Sequence, residues 1–127
     1  MKYPSELKYT ETDEWVLVEG NIVTIGLTDF AQDQLSDLVY FESLVDVGEN
    51  VEVETQLGTV ESVKSAGDVL SPVSGVITEI NTELEDEPEI VNSDPYLDGW
   101  MFKIRMSNPA ELEDLLTPDE YMDQCEE

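Results

Sequence analysis

Lys64 is the residue of this sequence best placed to do chemistry. It stands in the run Val60-Glu61-Ser62-Val63-Lys64-Ser65-Ala66-Gly67-Asp68, between two apolar stretches, in a chain with 5 Lys and Arg against 31 Asp and Glu. An amine held out at a turn can attack an activated carboxyl and form an amide, so the chemistry on offer is acylation, the attachment of a carried group. A solvated turn lysine would show the same spacing.

The apolar pattern sets this lysine at a tip. Residues 56–63 alternate as a strand, residues 68–80 resume extended structure with Pro72 excluding a helix interior, and Ser65, Ala66, Gly67 and Asp68 supply the turn. Upstream, residues 14–19 and 22–27 flank Gly20-Asn21, a two-residue turn with glycine first, which predicts a type II′ hairpin. Thr28 offers a hydroxyl cap to a helix over 29–38, whose Ala31, Leu35 and Leu38 share a face. Residues 39–44 return to strand and 47–51 turn into another. Residues 100–106 form the last, with Lys103 and Arg105 on the side of Met101, facing out. Two helical pieces close the chain. Asn108, Pro109 and Glu111 start one, with Leu112, Leu115 and Leu116 inward; Thr117, Pro118 and Glu120 start the other, which carries Tyr121, Met122 and Cys125 on one face.

A chain of 127 residues fits one domain and can bury a core without a disulfide or structural metal. The single cysteine, Cys125, permits no internal bridge and reads as an apolar filler. Residues 1–12 carry no signal-peptide core, and no apolar run approaches the roughly 20 residues a membrane span needs, so a soluble cytoplasmic protein is expected. The net charge of −26 excludes nucleic acid and anionic membranes as partners, because phosphate binding draws on Lys and Arg. With 40% apolar residues and clear strand periodicity, the acids must coat a core rather than mark disorder. A salt-rich cytoplasm, that of a halophilic archaeon, would screen their mutual repulsion.

Catalytic constellations are absent. Without histidine, neither a Ser-His-Asp nor a Cys-His nucleophile can form, nor a zinc site of the usual His and Cys type. Gly20, Gly26 and Gly48 stand alone, so no glycine-rich phosphate loop exists. Residues 92–99 invite a calcium reading that fails on spacing, since Pro95, Tyr96 and Leu97 interrupt the alternating oxygen ligands. Residues 82–89, acidic and with Pro88, read as a solvated loop. A carrier or binding module fits better than an enzyme.

The segment from Gly58 to Gly75 resembles the lipoyl attachment hairpin of the glycine cleavage system H protein family, with Glu61-Ser62-Val63-Lys64 and Ser71-Pro72-Val73-Ser74-Gly75 in the matching places. The likeness runs nearly end to end. It includes Asp13-Glu14-Trp15-Val16, the run from Ile25 to Gln32, Val91-Asn92-Ser93-Asp94-Pro95-Tyr96, Asp98-Gly99-Trp100-Met101 and the stretch from Tyr121 to Glu127. The chain departs from the family's usual text at Asp13 and in the helix region at Phe30 and Gln34, where histidines are common, and at Ser65, where alanine is common.

What the resemblance implies is a mostly β barrel-sandwich hybrid. It would have two small antiparallel sheets, the modified lysine on an exposed hairpin, one inserted helix and two C-terminal helices. One lipoyl-carrier domain would span 1–127, with its core at about 8–106 and a helical segment at about 108–127. Lys64 would carry lipoic acid in amide linkage, supported by Glu14, Glu61, Ser62 and Asp68. Glu14 would be a cleft residue able to hold an amine, and Glu61 a guide for the lipoylating enzyme; on spacing alone Glu14 is equally a strand-edge surface acid and Glu61 a solvated strand residue.

Family partners would be a pyridoxal-phosphate glycine decarboxylase that passes methylamine to a lipoyl sulfur and an aminomethyltransferase that moves the one-carbon unit to tetrahydrofolate. A flavin-dependent dihydrolipoyl dehydrogenase would reoxidise the dithiol. The carrier, a monomer, would catalyse none of these steps. If the partners are also acidic, docking rests on short-range contacts and strengthens with salt. Rival readings are a lipoyl relay protein serving 2-oxoacid dehydrogenases and an unmodified acidic scaffold domain. A biotin carrier fits less well, since Val63 and Ser65, not methionines, flank the lysine.

Overall fold

The structure, a computed structural model, describes residues 2–125. Its strands are β1 (Lys8–Tyr9), β2 (Glu14–Glu19), β3 (Ile22–Leu27), β4 (Leu38–Ser43), β5 (Asn50–Val51), β6 (Gln56–Ser62), β7 (Ala66–Leu70), β8 (Gly75–Ile80) and β9 (Phe102–Met106). They form an antiparallel sheet in the order β1-β2-β3-β9-β8-β5 and a second, three-stranded sheet in the order β4-β6-β7. The helices are α1 (Asp29–Leu35), α2 (Glu83–Asp86), α3 (Ile90–Ser93) and α4 (Pro118–Cys125), with a 3-10 turn at Pro109–Asp114. The mostly β barrel-sandwich hybrid is the architecture found. No helix among the described residues is long and apolar enough to cross a membrane.

The two sheets close on one core because their inward positions are aliphatic or aromatic. Val23, Ile25, Ile77 and Ile104 from the larger sheet and Leu57, Val60 and Val69 from the smaller one are completely buried, each side chain worth about 1.5–3 kcal/mol of burial. Phe41 of β4 meets Phe102 of β9 at 6.1 Å between ring centroids, which joins the sheets across their middle. A second cluster of Leu7, Tyr9, Trp15 and Tyr121 ties the N-terminal segment to α4. The indole of Trp15 lies over Gly26, where a Cβ would come within 2.9 Å of its Nε1, and that nitrogen donates to Pro95 O at 2.9 Å.

The first hairpin turns as predicted. Glu19 pairs with Ile22 across Gly20-Asn21, and only Gly20 takes a positive φ, +64°, which is the pattern of a II′ turn. Thr28 caps α1 by accepting from Ala31 N at 3.1 Å. The helix is shorter than the expected 29–38, however. Ser36 adopts φ +69°, and Asn92, far along the chain, donates to Ser36 O and accepts from Leu38 N, so Leu38 opens β4 instead of lining the helix.

Four other expectations are corrected. The extended stretch over 68–80 is two strands in different sheets, split where Ser71 Oγ donates to Val73 O at 2.6 Å around Pro72. The solvated loop over 82–89 contains α2, because Leu84 is completely buried, and its last residues lead into α3. Asn108 makes no side-chain cap, and Glu111 accepts from Ser74 N and Ser74 Oγ, both at 2.8 Å, instead of closing a capping box. The capping box forms at the next start, where Thr117 Oγ1 accepts from Glu120 N and Glu120 Oε1 accepts from Thr117 N. The last strand begins at Phe102, and Met101 is buried with its N–H donating to Ile25 O, so Lys103 and Arg105 point away from the core without it. Lys103 pairs with Glu79 at 3.6 Å and lies 5.3 Å from the Trp100 ring centre. Cys125 is free and packs beside the second cluster; residues 126 and 127, the end of the expected helical segment, lie outside the described residues.

Candidate functional site

The lysine hairpin is built from Ser62. Glu61 of β6 pairs with Ala66 of β7, and Ser62 N donates to Ser65 O at 2.8 Å, leaving Val63 and Lys64 alone at the tip. The Ser62 hydroxyl accepts from Ser65 N at 3.0 Å and from Lys64 N at 3.4 Å and donates to Ser65 O at 3.2 Å. One buried side chain thus takes up the backbone donors of a turn that has no glycine in it. The turn is 62–65, earlier than the 65–68 expected. Lys64 is exposed, Val63 beside it is 80% exposed, and among the described residues the Lys64 ammonium is in no salt bridge. Glu61 is exposed, and so is Asp68, which accepts from Gln56 Nε2 at 2.8 Å.

Glu14 is not a surface acid. It opens β2 opposite Leu27 and is completely buried. Its Oε1 accepts from the hydroxyls of Thr10 at 2.6 Å and Thr12 at 2.5 Å, and its Oε2 from Leu70 N at 3.3 Å. Thr10 Oγ1 also accepts from Glu14 N, which locks the side chain to its own turn. All these donors are neutral. Burial therefore dominates and pushes the carboxyl up from 4.5 to about 7, against the hydrogen bonds that pull it down, with the nearby charge of Asp13 raising it further.

Two recesses meet at Thr12. One, of about 320 Å³, is walled by Thr10, Thr12, Glu14, Leu70, Ser71 and Glu111; the other, of about 250 Å³, by Thr12, Asp13, Leu35, Val60, Gly67 and Asp68. Together they run along β7, the strand that leaves the Lys64 turn. A larger recess of about 510 Å³ lies among Pro4, Leu7, Leu17, Tyr96 and Leu97 and touches no hairpin residue. The structure thus puts Glu14 and Asp68 on two adjoining recesses that share Thr12, and leaves Glu61 outside both. Sequence reasoning missed Thr10 and Thr12. They stand four and two residues before Glu14, a spacing that by itself marks no site.

Asp13 stands one residue before that acid in the left-handed region, at φ +72°. Its carboxylate accepts from Tyr121 Oη at 2.8 Å, a charge-assisted bond worth about 1.5–3 kcal/mol. That bond helps to hold Asp13 in left-handed backbone, a region that Asp and Asn enter more readily than other residues with a Cβ. Burial raises the Asp13 carboxyl above its usual range, and the Tyr121 bond opposes the shift.

The site is thus an exposed lysine on a tight hairpin of a barrel-sandwich hybrid, with two recesses along the strand that leaves it. A model of the family described as "Glycine cleavage H-protein" matches residues 7–127. The glycine cleavage system H protein of Acinetobacter baumannii is 54% identical over 121 residues, covering 95% of this chain and 97% of that one. The Alcanivorax borkumensis protein of the same name is 50% identical over 123 residues, covering 97% and 95%. The crystal structure of a glycine cleavage system H protein from Mycobacterium marinum superposes with a TM-score of 0.86 at 35% identity, over 95% of this chain and 97% of that one. The chain belongs to the glycine cleavage H-protein family, the lipoyl carriers of the glycine cleavage system.

Proposed function

We propose that Lys64 is the attachment point for lipoic acid, joined through an amide at Nζ, and that residues 1–127 act as one carrier domain. The observation that carries this is the geometry of the tip: an exposed amine, in no salt bridge among the described residues, on a turn braced by Ser62, with two recesses along the strand that leaves it, one of them lined by the buried acid Glu14. The residues fit such a group. Leu35, Val60 and Leu70 give the cleft apolar walls for an aliphatic arm, while Glu14 has only neutral donors and so lacks a counter-charge that a carried ammonium would supply. When attached, the group supplies a dithiolane that opens to a dithiol and takes up cargo.

The chain itself performs no bond chemistry in this reading. Ser62 holds the amine out to the lipoylating enzyme, and Glu61, exposed beside the turn, is a contact for that enzyme. Tethering turns each delivery into an encounter at high local concentration. The cleft then withdraws the loaded end of the arm from water, with Glu14 accepting from the ammonium and Asp68 at the mouth. Glycine decarboxylase, aminomethyltransferase and dihydrolipoyl dehydrogenase are the enzymes served.

The charge of −26 supports a monomer in a salt-rich cytoplasm, such as that of a halophilic archaeon, where a Debye length of about 3 Å at 1 M salt removes most self-repulsion. The melting temperature should then climb steeply from dilute buffer to molar KCl, and a flat curve would remove the salt reading. Intact mass of protein from its native host, grown on glycine, tests the carrier reading itself. A lipoyl increment on the peptide containing Lys64, lost in Lys64→Arg, is the expected result; an unmodified mass would point to a scaffold domain.

A further inference from the structure

Tyr121 is fully buried on α4, its ring stacked on Tyr9 with centroids 4.8 Å apart and planes 7° from parallel. Packing accounts for the ring and leaves the hydroxyl to be explained. It donates to Asp13 Oδ1 at 2.8 Å and lies 2.7 Å from Thr28 Oγ1. Since a phenol has one proton, Thr28 must be the donor in the second contact, and Thr28 Oγ1 accepts in turn from Ala31 N. The protons run in one direction, from Thr28 to Tyr121 to Asp13.

Asp13 ends the turn between β1 and β2. Asp13 N donates to Thr10 O and Thr10 N to Glu14 O, so a tight turn is followed by a left-handed residue, a place that favours glycine. Asp13 O accepts from Thr28 N at 3.1 Å. Both ends of this residue are therefore held from outside the turn, the carboxylate by α4 and the carbonyl by the start of α1. Within the same turn lie the two hydroxyls, of Thr10 and Thr12, that clasp Glu14.

We propose that Tyr121 is a positioning residue for Glu14: acting through Asp13, it holds the turn over 10–14 in the left-handed form that keeps both threonine hydroxyls on the buried carboxylate. The C-terminal helix is in this way a latch on the cleft. A phenylalanine would fill the same space and lose the latch. The inference deepens the reading of Glu14 as the acceptor for a carried amine, and rests on it for its purpose, but the latch exists or fails without any arm attached.

Amide hydrogen exchange on the full, unmodified chain tests it. Two amides report the clasp directly: Glu14 N–H, which donates to Thr10 Oγ1, and Leu70 N–H, which donates to Glu14 Oε2. In Tyr121→Phe both should exchange at least about tenfold faster while Ile104, in the centre of the larger sheet, keeps its protection. Adding Asp13→Gly should restore both amides, because glycine enters a positive φ at no steric cost and so needs no partner to offset one. Asp13→Ala reads the same contact from the other side should Tyr121→Phe fail to fold. It must free the same two amides, whereas Asp13→Asn, which keeps an acceptor and tolerates positive φ, must not. Unchanged protection at Glu14 and Leu70, a loss spread evenly over the core, or no rescue by glycine overturns the proposal. A lysine found without lipoate would leave this outcome untouched.

Discussion

The lysine turn and the Glu14 turn are both short connections between antiparallel strands, and they are held in opposite ways. The first is self-sufficient: Ser62 makes every side-chain bond that shapes it, and its bonds reach no further than Ser65. The second depends on the rest of the molecule, with Leu70 lying 56 residues from Glu14 and Tyr121 lying 108 residues from Asp13. A group that must be offered to enzymes needs only a stiff local support and open solvent. A group that must receive something out of water needs walls, and walls come from several elements.

The sharpest way to break this contrast is at the lysine. Lys64→Arg should abolish lipoylation completely, since a guanidinium is not an acceptor for that amide bond, and leave the melting temperature unchanged, because the tip touches nothing in the core. Mass spectrometry and a thermal melt of the same sample check both halves. A large loss of stability would mean that the tip is not the independent presenter described above.

The Glu14 side of the contrast is visible in the dependence of stability on pH. Its folded value of about 7 lies above the ordinary 4.5, so between those values the folded chain binds more protons than the unfolded one. Stability from this group is therefore full below about 4.5 and lost as pH rises through about 7, a fall of about 3 kcal/mol at most. Repulsion among the other acids acts in the same direction, so the test is a difference. Chemical denaturation of wild type and Glu14→Gln between pH 5 and 8 should show the variant losing much less, and parallel curves would contradict the buried, uncompensated acid.

The same difference in support explains what the sequence made legible. The hairpin tip could be read from residues 56–80, because strand alternation, the turn residues and the lysine all lie within that span; the turn's register was misplaced, since Ser62 rather than glycine chemistry sets it, and the break at Pro72 between two sheets was not seen. The II′ hairpin and the Thr28 cap were legible for the same reason. The end of α1 was not, since a side chain from residue 92 takes over the backbone of Ser36 and Leu38. Nor was the burial of Glu14 or Leu84, which follows from which surface the larger fold lays over them. Family resemblance singled out Glu14, but residue spacing left it balanced between a cleft and a surface position. The two threonines that decide its state carried no local signal stronger than that of any other hydroxyl beside an acid.

The smallest effect should come from the support of the presenter. Ser62→Ala removes one hydroxyl that accepts from two backbone N–H groups, at Lys64 and Ser65, both near enough to solvent to be hydrated in its place. The loss in global stability should stay near 1 kcal/mol, the usual net worth of such bonds. Order at the tip should suffer more, because nothing outside the turn restrains it. Faster exchange at the Lys64 and Ser65 amides, with Glu14 and Leu70 unaffected, would show the two turns to be energetically separate. Coupled changes at all four amides would show that the presenting turn borrows its stiffness from the cleft, and the contrast between a local support and a distributed one would have to be given up.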